Sequence, residues 1–351
     1  MVRRRRTSAP EVVAVTGAAG GLGRALLERL AVRDDLAGLV GIDERAAPVD
    51  GVLWRRADPG GPLPARCLAR VTTVVHLATS YDVHAEPAGR RALNVHGTAG
   101  LLRAAAEAGV ARVVLATSAE VWGALPDNPV PLPDAAPLRA GADDSALLGD
   151  HLEVELLVPP AEVAGLEVTV LRPATLVGAA LGPAYDGQRL GQLAAPRLLA
   201  VRGTEPLWQL CHVEDLLSAL ELAATGQVSG RLAVASPGAL PQRTVEQQSG
   251  RRRLELPGSV AVSTAQRLQQ LGLSASSTRE LDHLLGPLVV AADGLAAAGW
   301  TAGWTNEAAL AAHLASAGVG RAGAYTAAGA TVAVLGSAVL LRRARRRRRL
   351  G

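Results

Sequence analysis

The stretch Val12–Gly23, VVAVTGAAGGLG, constrains this chain more than any other. A β-branched, apolar run leads into Thr16-Gly17, glycines stand at Gly17, Gly20 and Gly23, and Arg24–Leu30 continues at helical spacing. Strand, glycine turn and helix in that order are what a dinucleotide site needs. One glycine makes the tight turn, another lets backbone N–H groups approach a pyrophosphate, and the third lets helix and strand pack closely. The helix N-terminus then meets the anion with unpaired N–H groups and the positive end of its dipole. Leu39–Asp43 reads as a second strand ending in an acid about 20 residues past the last motif glycine, where a ribose-binding carboxylate belongs.

Strands and helices alternate over the first 180 residues. Gly51–Arg55 reads as a third strand, Val71–Ala78 as a buried parallel strand, Arg90–Ala108 as a helix and Val113–Thr117 as the next strand. A Pro-rich loop covers Leu125–Leu138. Ser145–Ala164 reads as a helix interrupted or ended by Pro159-Pro160, and Glu167–Arg172 as a further strand. The repetition predicts an α/β chain with a Rossmann-type, doubly wound parallel sheet. It spans residues 11–180 with parts of 205–235. Residues 181–317 are expected to form a small C-terminal substrate lobe with closing helices, among them Val213–Ala224, Val260–Leu271 and Asn306–Ala317.

Charge is uneven. All 36 Lys+Arg side chains are arginine. Arg3–Arg6, in a basic N-terminal segment over residues 1–10, and the seven arginines within Arg342–Arg349 carry eleven of them; set aside from the formal +4, they leave a body of net charge −7. The basicity sits at the two ends, which argues against a nucleic-acid groove. Ala322–Leu341 has twenty residues without a charge, long enough as a helix to cross a bilayer, and the Arg-rich tail 342–351 follows. This predicts a cytoplasmic body associated with a membrane through a C-terminal hydrophobic helix. A single span would place the arginines outside, against the positive-inside bias; an interfacial helix would not. Cys67 and Cys211 are too few and too far apart for a disulfide framework, and the histidines show no metal-ligand spacing, so no metal is expected.

The ordered motifs resemble the extended short-chain dehydrogenase/reductase family, in its NAD-dependent epimerase/dehydratase branch. They are TGAAGGLG; Asp58 after the third strand; HLAT at His76–Thr79; NVHGT at Asn94–Thr98; LATSAEVWG at Leu115–Gly123; LRPATLVG at Leu171–Gly178; and HVEDL at His212–Leu216. The resemblance implies a nicotinamide cofactor held by Thr16, Gly17, Gly20, Gly21, Leu22, Gly23, Asp43, Asp58, Leu77, Ala78, Thr79, Asn94, Thr117, His151 and Pro173. Asp43 points to NAD, since a carboxylate there would repel a 2′-phosphate, while nearby Arg45 is compatible with NADP. Ser118 falls where the family's substrate-binding Ser/Thr lies.

The resemblance breaks at the family's Tyr-x-x-x-Lys pair. Leu147 stands at the Tyr position and His151 at the Lys position, and the chain contains no lysine to restore it. A placed acid–base group contributes about 10²- to 10⁴-fold in rate. His151, with an imidazole suited to neutral pH, and Tyr81, after the fourth strand, are the candidates to carry the proton. Tyr185, Asp186 and Arg189 are candidates for substrate contact. Glu120 matches a dehydratase glutamate, but Ala119 replaces its partner acid. Two expectations follow: an NAD(P)-dependent oxidoreductase or epimerase acting on a small hydroxyl or keto substrate, as a homodimer if it follows the family; or a catalytically weak, membrane-anchored NAD(H)-binding sensor or scaffold.

Overall fold

Thirteen strands and nine α-helices are found among the described residues. A computed structural model describes residues 11–319 apart from 59, 83–84, 142–146, 179–189, 191, 194–196 and 258–281. The N-terminal half contains β1 (Val12–Thr16), α1 (Gly21–Ala31), β2 (Gly38–Asp43), β3 (Val52–Arg56), β4 (Thr73–His76), α2 (Pro87–Arg91), α3 (Thr98–Ala108), β5 (Arg112–Ala116), α4 (Leu147–Val163) and β6 (Glu167–Pro173). Beyond it come short strands β7 (Thr175–Val177), β8 (Arg197–Val201), β9 (Leu207–Trp208) and β10 (Leu210–His212), then α5 (Val213–Ala224) and β11 (Arg231–Val234).

Seven strands form one sheet in the order β11-β6-β5-β4-β1-β2-β3, with every pairing parallel. Side chains alternate across a strand, and here both faces are covered, so the strands read as continuous apolar runs. On one face Leu22, Leu26, Leu27 and Leu30 of α1, with Leu216, Leu217 and Leu220 of α5, cover Val13, Val15, Val75 and Val114. On the other, Leu101, Leu102 and Ala105 of α3, with Val154 and Val158 of α4, cover Ala14, Val40, Val74, Val113 and Val168. Each fully buried Leu or Val contributes about 1.5–3 kcal/mol. The chain order reverses between β1 and β4, so a crevice opens there at the carboxyl edge, the usual ligand position of such sheets.

Several sequence expectations are corrected. Helix α4 runs through Pro159-Pro160 to Val163. Both prolines are exposed and stand near the helix's C-terminal end. The helix expected over Arg90–Ala108 begins at Pro87, with Glu86 accepting from the N–H groups of Ala88 and Gly89, and contains a π-turn over Ala92–Gly97. The expected Val71–Ala78 strand is only Thr73–His76. The sheet's edge strand β11 was not individually foreseen. The expected 260–271 helix, the hydrophobic 322–341 helix, the arginine tail and the N-terminal ten residues lie outside the described residues. Among those described, no helix is long and apolar enough to cross a membrane.

Candidate functional site

The glycine loop closes over the end of β1. Gly17 has φ +65°, and a Cβ there would come within 2.7 Å of the Ala78 N and the Leu77 O. A Cβ on Gly23 would stand 2.3 Å from the Gly17 carbonyl oxygen. Both obstacles are backbone, so a side chain at either position would push the loop off the strand. Gly20 N donates to Gly17 O at 3.1 Å, and Gly20 caps the start of α1 without a side chain, leaving the helix N-terminus accessible.

Asp43, at the end of β2, does more than the sequence suggested. Its carboxylate accepts from Ala19 N at 3.1 Å and from Arg45 N at 3.4 Å, so it fixes the glycine loop against β2. Beside it Asp43, Glu44, Arg45, Trp54, Arg55 and Arg56 line a cavity of about 370 Å³. The Trp54 ring covers Gly41 of β2, where a Cβ would meet it at 2.7 Å. Asp58 lies beyond this cavity's strands, exposed, and accepts from Gly60 N at 2.8 Å.

A buried polar chain runs from the loop into the helical layer. Thr98 Oγ1 donates to the Asn94 carbonyl and so must accept from His76 Nε2, at 3.1 Å. His76 Nδ1 is therefore the acceptor of the Thr16 hydroxyl at 2.6 Å, and Thr16 Oγ1 in turn accepts from Ala78 N at 3.4 Å. Every donor has an acceptor only if His76 is neutral, and burial pushes its pKa down to about 4.

Asn94 continues the connection. Its side chain accepts from Ser80 N at 2.7 Å and donates to Ser80 O at 2.9 Å, clamping the segment after β4. Its amide also donates to Asp150 Oδ2 at 3.1 Å, the oxygen that pairs with Arg90 Nε at 2.8 Å. Arg90 and Asp150 are both almost wholly buried. A second buried pair lies one turn along α4: Glu155 takes Arg172 through two 2.8 Å bonds and also accepts from Thr117 Oγ1 at 2.9 Å. The Arg172 guanidinium stands 4.7 Å from the Trp122 ring centre. Sequence reasoning missed both pairs. No local sequence signal marks them, since Asp150 and Glu155 share their helix with the part-exposed Glu153 and Glu162.

The sequence-predicted residues converge in part. Tyr81 and His151 meet, with ring centres 5.7 Å apart at an interplanar angle of 55°. The Tyr81 hydroxyl donates to Ala116 O at 3.2 Å, which brings it to the end of β5, two residues before Ser118. Ser118 is half-buried and accepts from Glu120 N at 3.2 Å, starting a short 3₁₀ turn. Thr79 Oγ1 and His151 Nδ1 are buried with no hydrogen-bond partner among the described residues. Burial lowers the His151 pKa; the charges of Glu120, Asp150 and Glu155 oppose that shift, and Arg90 adds to it. Leu77, Ala78 and Thr117 lie at the carboxyl edge with Thr16, and Pro173 ends β6. Gly21 and Leu22 form the first turn of α1. Tyr185, Asp186 and Arg189 lie outside the described residues. No cluster of metal-binding side chains occurs among those described.

The HVEDL segment serves the structure. Asp215 accepts from Gly303 N at 2.7 Å and Trp304 N at 3.3 Å, while the His212 and Trp304 rings stack 3.7 Å apart. It therefore fastens the last helix among the described residues (Asn306–Val319) to the sheet layer.

Comparison with known proteins agrees with this geometry. The pattern of the NAD dependent epimerase/dehydratase family matches residues 13–234. An uncharacterised protein of Mycobacterium tuberculosis (strain ATCC 25618 / H37Rv) is 32% identical over 263 residues, covering 71% of this chain and 68% of its own. Among solved structures, MoeE5 in complex with UDP-glucuronic acid and NAD is 24% identical, with 88% of this chain and 99% of that one covered and a TM-score of 0.61. The dTDP-glucose 4,6-dehydratase of Bacillus anthracis str. Ames, in complex with NAD, is 14% identical at a TM-score of 0.63, covering 89% and 97%. The UDP-glucose 4-epimerase of Thermotoga maritima, with UDP-glucose, is 16% identical at 0.61, covering 87% and 97%. At these identities the structures establish the shared fold.

Proposed function

Because the chain belongs to the NAD dependent epimerase/dehydratase family, we propose that it binds NAD in the crevice between β1 and β4 and acts as an oxidoreductase or epimerase on a small hydroxyl or keto substrate. The observation that carries this reading is the glycine loop. Only residues without a Cβ fit at Gly17 and Gly23, and the loop leaves the α1 N-terminus open to a diphosphate. Asp43 is the acceptor for the adenosine ribose, and the Trp54-lined cavity beside it has room for the adenine end. Buried, unpartnered Thr79 Oγ1 is a polar atom that a bound cofactor would satisfy. NAD, when bound, supplies a hydride acceptor. The chain's own part is to hold the substrate oxygen, with Ser118 as donor. Nucleotide sugars are the first substrates to test, since MoeE5 and the Thermotoga maritima epimerase were solved with them.

Calorimetry of the full chain with NAD tests the proposal. Micromolar binding that Gly23→Val abolishes supports it; no heat with wild-type protein refutes it. A second reading, a catalytically weak NAD(H)-binding protein, is favoured by Leu147 at the family's tyrosine position. Tight NAD binding with no turnover across a nucleotide-sugar panel would select it. Membrane attachment through residues 322–341 is a separate proposal. Equal partitioning of the full chain and a chain lacking residues 320–351 into membrane fractions would refute it.

A further inference from the structure

We propose that His151 is the proton acceptor and donor of this crevice, seated by Tyr81 and by the buried Arg90–Asp150–Asn94 cluster in place of an acid–base group at residue 147. The inference rests on the reading that the crevice binds NAD.

Three observations carry it. First, His151 is an almost wholly buried imidazole whose Nδ1 meets no partner among the described residues. A buried ring nitrogen with no structural bond is costly unless something else uses it. Second, the ring is held from two sides. Tyr81 packs tilted against it, and the Tyr81 hydroxyl is itself tied to Ala116 O. The segment bearing Tyr81 is clamped at Ser80 by Asn94, and Asn94 bonds the carboxylate of Asp150, the residue immediately before His151. Arg90 neutralises that carboxylate. One buried cluster thus fixes both rings relative to each other, the kind of support a reacting group needs. Third, the pair lies next to the end of β5, where Ser118 begins its turn.

The groups facing His151 are Tyr81 after β4, Glu120 in the 3₁₀ turn after β5, Arg90 in α2, and Asp150 and Glu155 on its own helix. The three carboxylates stabilise an imidazolium once it forms, while burial keeps the resting ring neutral. In the oxidation direction, the substrate's carbinol carbon gives a hydride to NAD⁺ and its hydroxyl gives a proton to His151. The products are a carbonyl, NADH and a protonated imidazole, and the reverse step returns both. Tyr81 is a positioning residue here.

This assignment couples the proton to the redox state of the cofactor. A protonated His151 beside the nicotinamide disfavours cationic NAD⁺ relative to NADH, and by linkage the two cofactors must bind with different pH dependence. The test is equilibrium binding of NAD⁺ and NADH to the full chain in half-unit steps from pH 8 to pH 5, for wild type, His151→Gln and Tyr81→Phe. Urea melts establish that each variant is folded across that range. The expected result is a ratio of NAD⁺ to NADH dissociation constants that rises about fivefold or more on acidification in wild type. It should stay flat in His151→Gln and move to a different midpoint in Tyr81→Phe. Should His151→Gln prove unfolded, His151→Asn and a nuclear magnetic resonance titration of the wild-type His151 ring with each cofactor give the same reading. A flat ratio in wild type, or one that His151→Gln leaves intact, overturns the assignment while leaving NAD binding established. Absence of binding by either cofactor to wild type at pH 8 overturns the function proposed above, and this inference with it.

Discussion

His76 makes the fold acid-sensitive by an amount that can be worked out. It is wholly enclosed between Thr16 and Thr98, and its hydrogen bonds are satisfied only in the neutral form. Its pKa is held at about 4, against 6.5 for an ordinary imidazole. Between those values the unfolded chain takes up a proton that the native protein refuses. The contribution to stability is therefore intact above pH 6.5 and is lost as the pH falls towards 4. The full gap corresponds to about 3.4 kcal/mol, of which about 2 kcal/mol is gone by pH 5. His151 and His212 are shifted in the same direction, so wild type alone does not isolate His76. The comparison is with His76→Gln, which cannot titrate and which costs about 1–3 kcal/mol at every pH through bonds made less well. Urea unfolding at pH 7.5, 6 and 5, extrapolated linearly, gives both curves. Wild type should lose about 2 kcal/mol more than the variant between pH 7.5 and 5. Parallel curves would mean that His76 titrates like an exposed imidazole, and the reasoning from its enclosure would be wrong.

Other outcomes follow from the same geometry. Gly23→Ala places a methyl group 2.3 Å from the Gly17 carbonyl oxygen; it should lower NAD affinity by more than about tenfold in calorimetry and cost about 1–3 kcal/mol of stability. Arg172→Met leaves Glu155 buried and unpaired, so denaturant unfolding should show a loss of about 3–5 kcal/mol, much of it recovered when Glu155→Leu is added. Asp215→Ala releases the N–H groups of Gly303 and Trp304; it should lower stability by about 1–3 kcal/mol and speed amide exchange at both positions.

The parts legible from sequence are those governed by local spacing. The glycine triplet, the apolar runs of β1, β2 and β5 and the acid at Asp43 each depend on a few neighbouring residues, and Val213–Ala224 is helical over the range its periodicity predicts. Strand β11 was harder to see. Arg231–Val234 is only four residues long and gains its meaning from pairing with Leu171 and its neighbours, some 60 residues away. Proline propensity misled at Pro159-Pro160, which stand exposed near the C-terminal end of α4. The buried pairs Arg90–Asp150 and Arg172–Glu155 join residues 60 and 17 positions apart, and nothing local in the sequence announces them. The same holds for the meeting of Tyr81 with His151: each residue could be nominated alone, but their contact is a product of tertiary packing.

Asp43 has a practical consequence for anyone wishing to change which nucleotide this protein accepts. The side chain that would sense the ribose also bears the amides of Ala19 and Arg45. Exchanging it for a neutral or basic residue to admit a phosphate would loosen the loop at the same stroke. A successful redesign would have to supply a new support for Ala19 before altering the sensor, and swaps at position 43 alone should yield proteins that bind both dinucleotides poorly.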